Sequence, residues 1–291
     1  MANSLREVQL RINSTKSTAQ ITKAMHMVSQ SKVKRVEKLY KSYKDFMARI
    51  ASLVKHVVTK AKDEYPHPLL KPREVKKTAY FIITSDRGLA GSYNSSIFKA
   101  LTEMIEKNHT SSDEYITGAV GKKGFAYLKK MNYPMISDDA TYVRDDVLFV
   151  DIAPLAQAFI DAYLNKEIDR LVIIYNHYIN SLTQEVTFKE LLPIGAIEEE
   201  ASSVDYIYET GIEKTLDLIL PMYVQDMIYG FILDAKTSEH SARMNSMKNA
   251  TDNANEVIEK LQLLYNRARQ NVVTNELIDI IGGANAIGGD E

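Results

Sequence analysis

The sequence predicts an α/β protein in which long N- and C-terminal helices form an antiparallel coiled coil and the chain between them folds as an inserted α/β domain. Three observations carry this. No Pro precedes Pro66 and no Gly precedes Gly88, so the first 65 residues contain neither strong helix breaker. After Gly230 there is again no Gly or Pro until Gly282. Between these stretches, short β-branched and aromatic runs alternate with helical patterns, the texture of a layered α/β fold.

The N-terminal helix comes first and is the most regular. Leu5, Val8, Ile12, Thr15, Ala19, Thr22, His26, Ser29, Val33, Val36, Tyr40, Tyr43, Met47, Ile50, Val54 and Val57 alternate steps of three and four without a slip, a heptad seam of the left-handed coiled-coil kind. At about 1.5 Å per residue, residues 4–60 would run roughly 85 Å, so the helix is expected to protrude from the domain it joins. The boundaries read as a coiled-coil helix over residues 1–65, an α/β domain over 76–201 and a second coiled-coil helix over 210–287.

The insert begins after "YPHPLLKPRE" (65–74), whose three prolines end the first helix. "TAYFIIT" (78–84) and "RLVIIYN" (170–176) read as buried strands, and "EYITGAV" (114–120) as a weaker third. Ile97, Phe98, Leu101, Met104 and Ile105 mark one helix, and Val147, Leu148, Ile152, Leu155, Phe159 and Leu164 another. Val186 and Phe188, interleaved with Glu185, Thr187 and Lys189, predict an alternating edge strand. Strand alternating with helix makes the insert Rossmann-like.

The second long helix continues the three-four spacing through Ala250, Ala254, Val257, Leu261, Leu264 and Ala268. It contains "MNSMKNATDNANE" (244–256), whose Asn, Ser and Thr offer little to a core and compete for backbone hydrogen bonds. Opposite it in an antiparallel pair lies the equally small and polar section Thr15, Ala19, Thr22, His26 and Ser29. Small residues on both helices keep the pair slender, while Met244 and Met247 supply adaptable contact.

Composition narrows the function. The chain has 45% hydrophobic and 25% charged residues, ordinary for a globular protein, and no Cys, which excludes disulfides and Cys-based zinc sites. The start "MANSLREVQLRINS" lacks the apolar core of a signal peptide, and no apolar run reaches the roughly 18 residues of a membrane span, so any membrane role is expected to be peripheral. Net charge is only −2, yet residues 1–60 hold 13 Lys or Arg against 3 Asp or Glu. That asymmetry suggests an acidic partner, whether nucleic acid, anionic lipid or an acidic protein loop, the alternative being a merely solvated helix face.

No catalytic constellation is visible. "TSDRGLAGSYN" (84–94) is a Gly-containing strand-to-helix loop, the place where α/β proteins bind phosphate, but it has neither GxGxxG nor the Lys-Ser or Lys-Thr pair of a P-loop. Gly88 and Gly91 read as turn formers. The six histidines are scattered without ligand spacing, and Asp138/Asp139, Asp145/Asp146 and the run 198–200 sit in polar, turn-like context. No cofactor, metal site or catalytic residue is predicted, since no nucleophile elbow is present either.

With these elements in view, the chain resembles the gamma subunit of the rotary proton-translocating ATP synthase. The N-terminal "RINSTKSTAQITKAMHMVSQSKVKR" is similar to that family's first helix, and "ARMNSMKNATDNANEVIEKLQLLYNRARQNVVTNELIDIIGGANA" carries its ARM, ATDNA, YNxARQ and TxExxDxxxGA elements in order. "TSDRGLAG" resembles the family's motif after the first insert strand. The resemblance implies a non-enzymatic rotary shaft inside a ring of three alpha and three beta subunits, with catalysis on beta, driven by a membrane ring of c subunits and accompanied by an epsilon subunit. It implies a peripheral membrane protein on the cytoplasmic face of a bacterial cell membrane. Carried over residue by residue, it points to beta-subunit contacts at Lys23, Arg243, Gln270, Thr274 and Glu276, and to membrane-ring or epsilon contacts at Tyr206, Tyr208 and Glu209 in "VDYIYETG". The alternative is a nucleic-acid-binding coiled-coil protein, motivated by the basic N-terminal segment and weakened by the absence of any groove-reading module. A third reading is an α/β enzyme with a helical arm and nucleotide at Gly88 and Gly91. The ending "GGDE" extends past the usual family terminus.

Overall fold

The computed structural model describes residues 2–61, 67–137, 147–195 and 211–287. In chain order these form α1 (Ala2–Ala61), β1 (Thr78–Ile83), α2 (Tyr93–Asn108), β2 (Tyr115–Val120), α3 (Lys122–Lys130), α4 (Phe149–Leu164), β3 (Arg170–Tyr178), β4 (Gln184–Leu192) and α5 (Ile212–Ile287). The chain divides into two compact units: a terminal unit of residues 1–28 and 244–291, and a central unit of residues 29–243.

The central unit is built on a four-stranded sheet in the order β2-β1-β3-β4. β2, β1 and β3 are parallel, and β4 closes one edge antiparallel to β3, as its alternating sequence predicts. β1 is buried along its whole length, which is why it reads as a continuous apolar run. Its residues divide by the period of two between the layers. Ala79, Phe81 and Ile83 face α4, the end of α1 and the first half of α5, together with Ile173 and Tyr175 of β3. Tyr80 and Ile82 face α2 and α3, together with Val172 and Ile174.

Every residue of the N-terminal seam from Leu5 to Val57 is buried or half-buried, while most positions between them are exposed. In the central unit the seam packs on α5: Met47 and Tyr43 lie over Gly230, where an added Cβ would sit 2.2 Å from the Met47 sulfur. Gly230 is therefore the place where the two helices approach too closely for a side chain. Part of α5 is long and apolar enough to cross a membrane, but over half of that stretch is buried in the core. α5 starts at Ile212, two residues inside the expected boundary at 210, and runs unbroken through Pro221 and Gly230.

The terminal unit is an antiparallel helix pair. Thr22 Oγ1 lies 2.7 Å from Thr251 Oγ1, and His26 Nδ1 lies 3.0 Å from the Met244 carbonyl oxygen. Each threonine hydroxyl also reaches its own helix, Thr22 to the Ala19 carbonyl at 3.1 Å and Thr251 to the Met247 carbonyl at 2.8 Å. Further along, Gln9, Ile12 and Lys16 line a cleft of about 280 Å³ with Gln262, Tyr265 and Asn266. The expected facing of small, polar sections is thus present. The seam on α5 is corrected in detail: beyond Ala254 it runs through Ile258, Leu261, Tyr265, Ala268, Val272 and Asn275. Val257 and Leu264, expected on it, are 45% and 52% exposed. Apolar identity favoured Val257 and Leu264, but the step after Ala254 is four, not three, so Ile258 and Tyr265 take their places while Leu261 and Ala268 stay on the seam.

Candidate functional site

The loop after β1 is held closed by its own side chains. Ser85 N donates to Asn94 Oδ1 at 3.0 Å, Asn94 Nδ2 donates to Ser85 Oγ at 2.7 Å, and Ser85 Oγ donates to the Arg87 carbonyl at 2.7 Å. The first amides of α3 are also taken. Lys122 N donates to Asp86 Oδ1 at 2.9 Å, Lys123 N to the Ser85 carbonyl at 3.1 Å, and Gly124 N to Thr84 Oγ1 at 2.8 Å. At the start of α3 the amides that could hold a phosphate are thus satisfied by the chain itself.

This loop stands at the C-terminal ends of β1 and β3, the switch point at which open α/β sheets bind ligands. α5 lies against it instead. Tyr93 Oη donates to the Ala235 carbonyl at 3.1 Å, while Arg243 donates to the Gly88 carbonyl at 3.3 Å through Nε and to the Arg87 carbonyl at 3.1 Å through Nη2. Asn176 at the end of β3 donates to the Tyr93 carbonyl at 2.8 Å, tying the second strand to the same corner. The enzyme-like motif is, in its geometry, a cradle for a helix.

Arg243 belongs to a buried charge cluster. Its Nη2 lies 2.8 Å from Glu239 Oε1, and Lys236 Nζ lies 3.0 Å from Glu239 Oε2, with all three side chains at least nine-tenths buried. Burial pushes the Glu239 carboxyl up, but the Lys236 and Arg243 charges outweigh it and hold the group below its ordinary range. Removing any one member would strand the others, at a cost of about 3–5 kcal/mol. Arg243, expected to reach outward to a partner, is thus 8% exposed and engaged within this chain.

The other expected contact residues are on the terminal unit. Lys23 is exposed on α1, and Gln270, Thr274 and Glu276 are exposed on α5. Tyr206, Tyr208 and Glu209 lie outside the described residues, as do Asp138, Asp139, Asp145, Asp146, the acidic run 198–200 and the "GGDE" ending. Among the described residues no cluster of His, Cys, Asp or Glu has metal-binding geometry.

One feature of the terminal unit escaped the sequence reading. Val273, Leu277, Ile278, Ile280 and Ile281 near the end of α5 are 49–67% exposed. These positions spread over about 160° of helix circumference, wider than the roughly 100° stripe that one packed face requires. That spread was the available signal. Leu10, Ile21, Met27 and Val28 on α1 are likewise more than half exposed, so this unit presents apolar surface on both helices.

A family profile described as ATP synthase matches residues 4–287. The chain is 44% identical over 284 residues to the ATP synthase gamma chain of an Exiguobacterium species, covering 98% of this chain and 99% of that one. Among solved structures it resembles the central stalk/c-ring part of Tetrahymena thermophila mitochondrial ATP synthase, with a TM-score of 0.59 and 26% identity over 79% of this chain and 99% of that one. It also shares the fold of a chain of the Euglena gracilis mitochondrial ATP synthase in rotational state 3, with a TM-score of 0.67 and 19% identity over 99% and 96% of the two chains.

Proposed function

The chain belongs to the gamma-chain family of ATP synthase, and from that premise we propose that it works as the central rotary shaft, coupling ion-driven rotation of a membrane ring to ATP synthesis or hydrolysis on beta subunits. The observation that carries this reading is the terminal unit: a slender antiparallel helix pair with small, polar seam residues and with apolar and basic side chains facing outward. A shaft must touch a surrounding ring at every angle. Exposed apolar groups slide without directional preference, and exposed Lys and Arg meet acidic loops through charge complementarity that needs no single register. In this reading the chain is a non-catalytic subunit, with three alpha and three beta subunits around it, and epsilon and a ring of c subunits at its foot.

Lys23, Gln270, Thr274 and Glu276 are the proposed beta-subunit contacts, their exposure leaving them available. Arg243 acts on the same function through the loop it holds, presenting Arg87 and Gly88 rather than its own guanidinium. Tyr206, Tyr208 and Glu209 are proposed for the membrane ring or epsilon. The domain plan of residues 1–65, 76–201 and 210–287 is kept as a functional division into shaft, collar and shaft. Membrane association comes through the complex, and the Exiguobacterium relative supports the cytoplasmic face of a bacterial cell membrane. Nothing in the fold or the comparisons supports the nucleic-acid reading.

Native mass spectrometry of the complex captured with this chain tests the proposal. One copy per three alpha and three beta subunits is expected; equimolar stoichiometry, or no such complex, would overturn it.

A further inference from the structure

Eleven consecutive residues of α5, 231–241, are buried on every side, and the run includes Asp234, Lys236, Thr237, Ser238, Glu239, His240 and Ser241. A helix held only by apolar packing would bury such residues at a loss, so the polar ones need a reason. Asp234 has the most partners. His177 Nδ1 lies 2.5 Å from its Oδ2, and the Tyr178 amide donates to its Oδ1 at 3.0 Å, both from the end of β3. Tyr175 on β3 and Tyr40 on α1 set their hydroxyls close enough to feel this carboxyl's charge. Two hydrogen bonds from the end of one strand, flanked by two tyrosines, converge on one side chain of a helix.

We propose that Asp234 is the pin that fixes α5 against the sheet in rotation and in height, so that torque passes between the α/β layer and the helical pair without slip. The proposal rests on the rotary-shaft reading. Apolar contacts around it, from Ile232, Leu233 and Ala235, resist separation but are non-directional, and a helix can turn or slide over them while keeping most of its burial. The pin cannot. A shift of one residue moves a side chain by about 1.5 Å along the axis and about 100° around it, which takes the carboxylate away from His177 and the Tyr178 amide while it remains enclosed. Tyr93 Oη on the Ala235 carbonyl, one residue along, ties the loop after β1 to the same turn of helix. The pin therefore reaches β3, and its neighbour reaches α2.

The test uses the assembled complex in membrane vesicles with Asp234→Asn, which keeps the shape and one acceptor, and with Asp234→Asn combined with Tyr93→Phe. ATP hydrolysis without an opposing gradient should stay within about twofold of the parent. ATP-driven ion pumping against an imposed gradient should fall by about threefold or more, the equilibrium scale of weakening a charge-assisted hydrogen bond. An unchanged ratio of pumping to hydrolysis in the double variant would overturn the pin. A second measurement holds if assembly fails: the chain has no Cys, so spin labels at Lys189→Cys on β4 and Lys214→Cys on α5 report their separation in the isolated full chain. Asp234→Asn should broaden or shift that distance distribution, and an unaltered one would refute the pin independently of the shaft reading.

Discussion

Replacing Gly121 with Ala tests how the switch-point corner is held together. Gly121 sits between β2 and α3 with φ of +94° and ψ of 140°, an extended positive-φ conformation that costs an L-residue about 1–3 kcal/mol. A Cβ there would lie 2.3 Å from the Thr84 carbonyl oxygen, 2.7 Å from its carbonyl carbon and 2.8 Å from its Oγ1. Two of those atoms are backbone, so relief requires moving the end of β1, which overpacking data put at about 1–3 kcal/mol. The expected loss is therefore about 2–6 kcal/mol. Thr84 also ties both neighbours through Oγ1, accepting from Gly124 N of α3 and donating to the Val120 carbonyl of β2, each at 2.8 Å, and the strain should spread to the Arg87 and Gly88 carbonyls that receive Arg243. Urea unfolding followed by near-UV circular dichroism suits a chain with 17 Tyr and no Trp, because Tyr80, Tyr93 and Tyr115 are buried in this layer. Gly88→Ala is the internal control, since nothing lies within 4 Å of its added Cβ. A Gly121→Ala variant within about 0.5 kcal/mol of the parent would refute the steric account.

Arg243→Ala should destabilise the central unit by about 3–5 kcal/mol, measured in the same urea experiment, because Glu239 and Lys236 remain buried with a broken charge balance; an intact fold with lost coupling would instead assign Arg243 to partner contact. Ala250→Leu with Ala254→Leu should thicken the seam and impair assembly or rotation while leaving the near-UV signal of the α/β layer unchanged, and full activity would refute a tight seam. Burial lowers the affinity of His67 and His109 for protons, outweighing the nearby Asp217 and Glu114. Below the ordinary histidine range near pH 6.5 the unfolded chain binds more protons than the folded one, so this contribution makes stability fall as pH drops from about 7.5 to 5.5. His109→Gln should flatten that slope in urea midpoints taken at the two pH values; a slope left unchanged would contradict it.

Local patterns made most of the fold legible. The absence of Gly and Pro, with the unbroken seam from Leu5 to Val57, defined α1, and the apolar runs at β1 and β3 needed no partner to be recognised. α3 was missed because its nine residues include Gly124 and bury only that glycine and Leu128, too little to establish a period. The candidate site was less legible. Arg243 reads as an exposed helical arginine until the fold brings it to Arg87 and Gly88, more than 150 residues earlier in the chain. Asp234 gave no signal at all, since its partners come from the ends of other elements.

The threonine pair lying within seven residues of the terminal unit's ends at Val28 and Met244 governs its elasticity. Two hydroxyl protons serve three possible bonds: Thr22 to Ala19, Thr251 to Met247, and one threonine to the other. Only two of the three exist at any instant, so the cross-helix bond forms by releasing a bond to one helix's own backbone. The two arrangements of the cross-helix bond exchange by rotating hydroxyl hydrogens, with the heavy atoms in place. A small twist of one helix on the other is then met by trading one bond for another of similar strength, whereas a packed Ile pair would lose contact outright. The seam at Thr22 and Thr251 is built as a compliant joint, able to yield to a modest angular displacement while keeping the net count of bonds.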